Sequence, residues 1–195
     1  MEIGLDALLA ARANHNAGEG ATKLSVNDLV VKASALALAD VPEANVSYMP
    51  EGMLQHAAAD VAVAVAVKGG LMTPIVRGAD IKPVATIAAE LRDLADRAQR
   101  FRLQPDEYSG GSFTVSNLGM FGVASFGSIL NPPQAAILSV GAARKRPILR
   151  DGQLAEETFM AVTLTCDHRA LDGAIGARWL QAFRALIEAP ERVFA

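Results

Sequence analysis

A chain of 195 residues, half of them hydrophobic, is long enough to bury one sizeable core, and that composition excludes a disordered protein. A net charge of −3, with no lysine or arginine cluster interleaved with aromatics, gives no electrostatic footprint for nucleic acid. The single cysteine, Cys166, excludes an internal disulfide framework and any CxxC zinc or redox motif, which fits a reducing compartment.

The first residues, Met1-Glu2-Ile3-Gly4-Leu5-Asp6, carry neither the basic and apolar regions of a signal peptide nor the basic composition of a transit peptide. The longest strongly apolar run, 61–67, is far short of the ~20 residues a spanning helix needs. A soluble, intracellular protein is expected.

Apolar residues at helix-like spacing predict a first helix over 3–14, ended by Gly18-Glu19-Gly20. Ser25 is placed to cap a second helix over 26–39, with Asp28 in the first turn where the helix dipole favours negative charge. Its residues are apolar almost all round, which predicts deep burial. A brief strand at 46–48 precedes the Pro50-Glu51-Gly52 turn. Residues 60–67 alternate valine with alanine, as in a strand closely covered by helices, and Lys68-Gly69-Gly70 turns the chain into a return strand over 71–76 broken by Pro74. The pair reads as a β-hairpin.

Thr86 is a candidate cap for a helix whose stripe is Ile87, Leu91, Leu94, Ala98 and Phe101, with charged residues on its other faces. Strands follow at 112–116, 135–141, 146–149 and 159–165. A closing helix over 173–188 buries Ile175, Trp179, Phe183 and Leu186 and stops at Pro190. Helices first, then strands joined by hairpin-like turns, predict an α/β fold of the layered, mixed-sheet kind. There is no GxGxxG or phosphate-loop pattern.

Two corners carry chemistry. His168 lies where the last strand breaks toward the closing helix, with Asp172 four residues on. It is either a histidine satisfied by local hydrogen bonds or a general base, and the residues alone leave both open. Asp172 suits a helix N-cap. Asp167, His168 and Asp172 make a poor metal set, and Cys166 reads as a core cysteine before a nucleophile. At the second corner Ser116 is either a turn residue or a hydrogen-bond donor to an oxyanion, beside Asn117 and the glycine-bearing segment 118–122. Met120 and Phe121 read as apolar plugs, and His15 and His56 have no supporting neighbours. Arg144-Lys145-Arg146 reads as a solvated strand end before an anion site.

Four strings together resemble one family: Asp-His-Arg-x-x-Asp-Gly at 167–173, Ser-Asn-Leu-Gly-Met-Phe-Gly at 116–122, Ser-Val-Asn-Asp at 25–28 and Gly-Leu-Met-Thr-Pro-Ile-Val at 70–76. They are similar, in order and over nearly the whole chain, to the catalytic domain of dihydrolipoamide acyltransferases, the core subunits of 2-oxo acid dehydrogenase complexes. The resemblance implies a chloramphenicol-acetyltransferase-like two-layer sandwich with a mixed β-sheet flanked by helices. It also implies a homotrimer with its active site at the subunit interface, built into a larger cubic or icosahedral core and served by lipoyl domains. Coenzyme A and the lipoyl group are the substrates it implies, with no metal.

In that site His168 takes the proton from a thiol, the thiolate attacks the thioester carbonyl, and Ser116 of the neighbouring subunit donates to the oxyanion. Asp172 orients the corner. A thiol of pKa about 8.5 is mostly protonated at neutral pH, and an imidazole of pKa about 6.5 is a matched base for it. Leu118 and Met120 within 116–122 look more like acetyl-transferring members, of the pyruvate dehydrogenase type. Residues 1–195 correspond to the catalytic domain without its leading basic segment, first helix and first strand, and without lipoyl or peripheral-subunit-binding domains. An unpaired sheet edge is therefore expected. A core subunit that holds an assembly together with weak or no turnover is the alternative, and an antibiotic O-acetyltransferase is disfavoured by the strings. With no transit peptide, a bacterial cytoplasm is favoured over a mitochondrial matrix.

Overall fold

In a computed structural model that describes residues 1–195, the chain runs β1 (Glu2–Gly4), α1 (Asp6–Ala17), α2 (Val26–Asp40), β2 (Val46–Met49), β3 (Gly52–Gln55), β4 (Val61–Val63), β5 (Val65–Val67), β6 (Gly70–Met72), β7 (Ile75–Val76), α3 (Val84–Gln99) and α4 (Pro105–Tyr108). It continues as β8 (Phe113–Asn117), β9 (Ala136–Val140), β10 (Arg144–Arg150), β11 (Gln153–Cys166), α5 (Gly173–Glu188) and α6 (Glu191–Phe194). The main sheet has the order β1-β11-β9-β8-β4-β7, with β10 also on β11. β8 is parallel to β4 and β9, and the other pairs are antiparallel, so the sheet is mixed as expected.

Side-chain alternation gives the sheet two unlike faces. Val61, Val63, Phe113, Val115, Leu138, Val140 and Val162 are all buried toward the helices. The alternate residues on the central strands turn the other way: polar Thr114, Ser116, Ser139, Thr163 and Thr165, with apolar Ala62 and Ile137 among them. Helices pack on the apolar face. α5 is anchored there by Trp179, whose ring lies 4.8 Å from that of Phe113 and 5.3 Å from that of Phe183. The capping box of α2 forms as its spacing predicts: the Asp28 N–H donates to Ser25 Oγ at 3.1 Å and the Ser25 N–H to Asp28 Oδ2 at 2.7 Å.

Several expectations are corrected. Residues 2–4 are not helical. They pair with Phe159, Met160 and Ala161 of β11, which buries Ile3. The backbone hydrogen bonds available along β11 outweigh helical spacing in a segment this short. Pro83, not Thr86, is the N-cap of α3, and Phe101 leaves the stripe, since the helix ends at Gln99 and Phe101 is left-handed and exposed. The predicted valine hairpin divides into two pairings, β5 with β6 across Lys68-Gly69 and β4 with β7. The β2–β3 hairpin has a second strand that the sequence did not reveal. No helix is long and apolar enough to cross a membrane.

Trp179 has a fully buried ring whose Nε1 has no acceptor. Trp179→Ala is expected to cost ~3–5 kcal/mol in unfolding free energy, whereas Trp179→Phe, which keeps most of the ring and removes the unsatisfied N–H, should cost under ~1.5 kcal/mol. Denaturant midpoints at constant slope measure both.

Candidate active site

The histidine corner begins where the pairing of β11 with β9 runs out. The Asp167 N–H donates to the Ala135 carbonyl at 2.8 Å, and the Asp167 carbonyl then accepts the Ala170 and Leu171 N–H groups at 3.0 and 2.9 Å. Ala170 and Leu171 are buried as plugs under the turn. Asp172 caps α5, its Oδ1 accepting the Ile175 N–H at 2.8 Å. Behind the corner, Gly176 brings the first turn of α5 close to the Cys166 side chain; an added Cβ would lie 3.3 Å from Sγ. His168 is left exposed on this braced turn.

Arg169, not His168, takes the neighbouring carboxylate. Its Nε donates to Asp167 Oδ1 at 2.9 Å and its terminal nitrogen to Oδ2 at 2.6 Å, while the guanidinium carbon lies 4.0 Å from the Tyr48 ring centroid. That pairing holds the Asp167 carboxyl well below the usual range, at about 2. Burial pushes the Cys166 thiol up to about 11, so it is a core thiol at neutral pH and a poor nucleophile.

Ser116 lies half-buried near the end of β8. Beyond it the chain is tied down by the Leu118 N–H on the Val140 carbonyl at 3.1 Å, and Gly119 to Phe121 form a single 3₁₀ turn closed by Gly122 at φ 74°. Gly141 lets the next segment approach, because a Cβ there would meet the Ala124 carbonyl oxygen at 2.0 Å.

The two corners do not face one another within the chain. Ser116 is in register with Ser139, and Ser139 with Thr163 on β11. Two strand spacings of ~4.8 Å and the advance from Thr163 to Asp167 at ~3.3 Å per residue put the corners ~16 Å apart. A base and an oxyanion donor acting on one carbonyl each need hydrogen-bond reach of it, so these two cannot share a carbonyl inside one copy.

The family of 2-oxoacid dehydrogenases acyltransferase (catalytic domain) matches residues 1–195. The chain belongs to this family. It is similar to the dihydrolipoyllysine-residue acetyltransferase component of the pyruvate dehydrogenase complex of Rhizobium meliloti, with 50% identity over 97% of this chain and 44% of that protein. The chain thus spans less than half the length of that curated relative. Two solved structures superpose with TM-scores of 0.92 at 30% identity, covering 100% of this chain and 82% of theirs. One is the Azotobacter vinelandii dihydrolipoamide acetyltransferase, studied for the role of a serine, a histidine and an asparagine in its catalytic mechanism, and the other is the cubic core of a pyruvate dehydrogenase multienzyme complex. Chloramphenicol acetyltransferase, at 17% identity and a TM-score of 0.57 over 96% of this chain and 86% of its own, shares the fold, as expected.

In this acyltransferase domain the other candidate side chains have internal partners. The His15 ring nitrogen meets the Thr22 carbonyl at 3.1 Å, and that of His56 meets Ser47 Oγ at 2.8 Å. Arg144 donates to the Gly122 carbonyl at 2.9 Å, and Arg146 pairs with Glu2 at 2.9 Å. Met120 and Phe121 are exposed and plug nothing in this chain. No group of three or more His, Cys, Asp or Glu side chains is arranged to hold a metal ion. Tyr48 under Arg169 was not legible, since the Ser47–Gln134 bridge that brings β2 to the corner is a tertiary contact without a local pattern.

Because the Asp167 pKa is depressed in the fold, the pair stabilises at pH above the ordinary carboxylate value and loses that contribution as the pH falls through about 2. Arg169→Ala is expected to raise the Asp167 pKa toward ~3.9 and to be less stable than the parent at neutral pH, with the difference closing on acidification. Carboxyl NMR titration and acid unfolding read the two effects.

Proposed function

We propose that this domain transfers an acetyl group between dihydrolipoamide and coenzyme A at a site shared by two copies of the chain, with His168 from one and Ser116 from the other. The observation that carries this is the strand register from Ser116 through Ser139 to Thr163, which by standard strand spacings puts the backbones of the two corners ~16 Å apart in a single copy and leaves each as half of a site. The intervals separating Ser116, His168 and Asp172 are those separating the serine, histidine and asparagine of the Azotobacter enzyme, with an aspartate here in the last place. The cubic core among the structural neighbours supports a homotrimer as a unit of a larger assembly, served by lipoyl domains.

His168, exposed on a braced turn, accepts the proton of the incoming thiol. The thiolate attacks the thioester carbonyl carbon, and the carbonyl electron pair moves to oxygen. The Ser116 hydroxyl of the second copy donates a hydrogen bond to that oxyanion. Collapse re-forms the carbonyl and expels the other thiolate, which takes the proton back from the imidazolium. No side chain of the protein is acylated. Asp172 caps α5 and so holds the backbone that carries His168. The bacterial relative supports a cytoplasmic setting for this reaction.

With acetyl-coenzyme A and free dihydrolipoamide, Ser116→Ala is expected to lower kcat ~10²–10³-fold with little change in KM. His168→Ala should lower kcat by ~10²–10⁴-fold. A His168→Ala protein that turns over at the parent rate contradicts the assignment.

A further inference from the structure

The strings at 25–28 and 116–122, far apart in sequence, meet in the fold through one side-chain hydrogen bond. Asn117 Nδ2 donates to Asn27 Oδ1 at 3.1 Å. The other end of the Asn117 amide is committed: its Oδ1 accepts the Gly119 N–H at 2.9 Å. A backbone N–H only donates, so this contact fixes which way the Asn117 amide points, and Asn27 must present its oxygen to the nitrogen. Asn27 is itself placed rigidly, because it lies inside the Ser25–Asp28 capping box at the start of α2. Both asparagines are half-buried.

We infer that Asn27 and Asn117 form a positioning pair that holds the Ser116 hydroxyl in place for the oxyanion. Ser116 is the last but one residue of β8, next to an exposed turn, and strand ends fray unless something ties them. The Asn117 side chain ties this end twice, forward to Gly119 and sideways to α2. Alternation sends Asn117 to the helix face and Ser116 to the opposite, polar face, so the pair acts through the backbone and touches no substrate. An oxyanion donor must be held within ~0.5 Å and ~10–20° to be effective. Rigidity inherited from the capped end of a core helix supplies that tolerance.

This inference rests on the proposed role of Ser116, and a double-mutant cycle separates the two. In the acetyl-coenzyme A and dihydrolipoamide assay, Asn27→Ala is expected to lower kcat ~10-fold with KM for both substrates unchanged. Asn27→Asp, which keeps the acceptor oxygen, should stay within ~3-fold of the parent. In a Ser116→Ala background Asn27→Ala should have no further effect, since the group it positions is gone. An Asn27→Ala protein with unchanged kcat, or one whose loss is equal in both backgrounds, overturns the positioning role. Parent-like activity in Ser116→Ala alone overturns the role of Ser116 instead. Thermal unfolding of each variant separates a folding defect from a kcat effect, and if Asn27→Ala does not fold, Asn27→Leu, of similar size and without the acceptor oxygen, takes its place in the cycle with the same expected ~10-fold loss.

Discussion

The register that runs from Ser116 through Ser139 to Thr163 is the constraint on which the site depends. Hydrogen-bonded ladders leave no freedom to slide, because a shift by one residue would turn every side chain of a strand to the wrong face. Val115, Leu138 and Val162 are buried against the helices, and a slip would exchange them for Ser116, Ser139 and Thr163. Apolar burial on one face therefore sets the spacing of polar groups on the other. The distance between the serine and histidine corners is a consequence of core packing.

The same core braces each corner. Trp179 fastens α5 to β8 through Phe113, and the first turn of α5 closes over Cys166 at Gly176. Asp172 then converts a structural need, a satisfied N–H at a helix start, into a fixed exit for the turn bearing His168. On the serine side the N-terminus of α2 is the fixed object, through Asn27. In both places a helix start stands beside a strand end, and capping on one element becomes precision on the other.

Much of this was legible in the sequence where the signal is local. The closing helix, the Ser25 cap and the glycine turn between β5 and β6 follow from periodicity, spacing and turn residues, and the two motif strings point to His168 and Ser116. What was not legible depends on tertiary partners. Ile3 fits a helical spacing, and nothing near it in the sequence announces the β11 edge it pairs with. The helix starts ahead of Thr86 because the Pro83 carbonyl already accepts the Thr86 and Ile87 N–H groups, at 3.0 and 3.2 Å. Tyr48 beneath Arg169 and Asn27 beside Asn117 are contacts between distant segments, which periodicity cannot report.

The central claim is that one working site takes His168 and Ser116 from different copies. Co-expression of equal amounts of Ser116→Ala and His168→Ala chains, each expected to be at least ~10²-fold impaired alone, tests it most directly. In the proposed homotrimer, random assembly places one intact site in every mixed trimer, so about a quarter of the parent activity should return. A mixture no more active than its two parents would contradict a shared site.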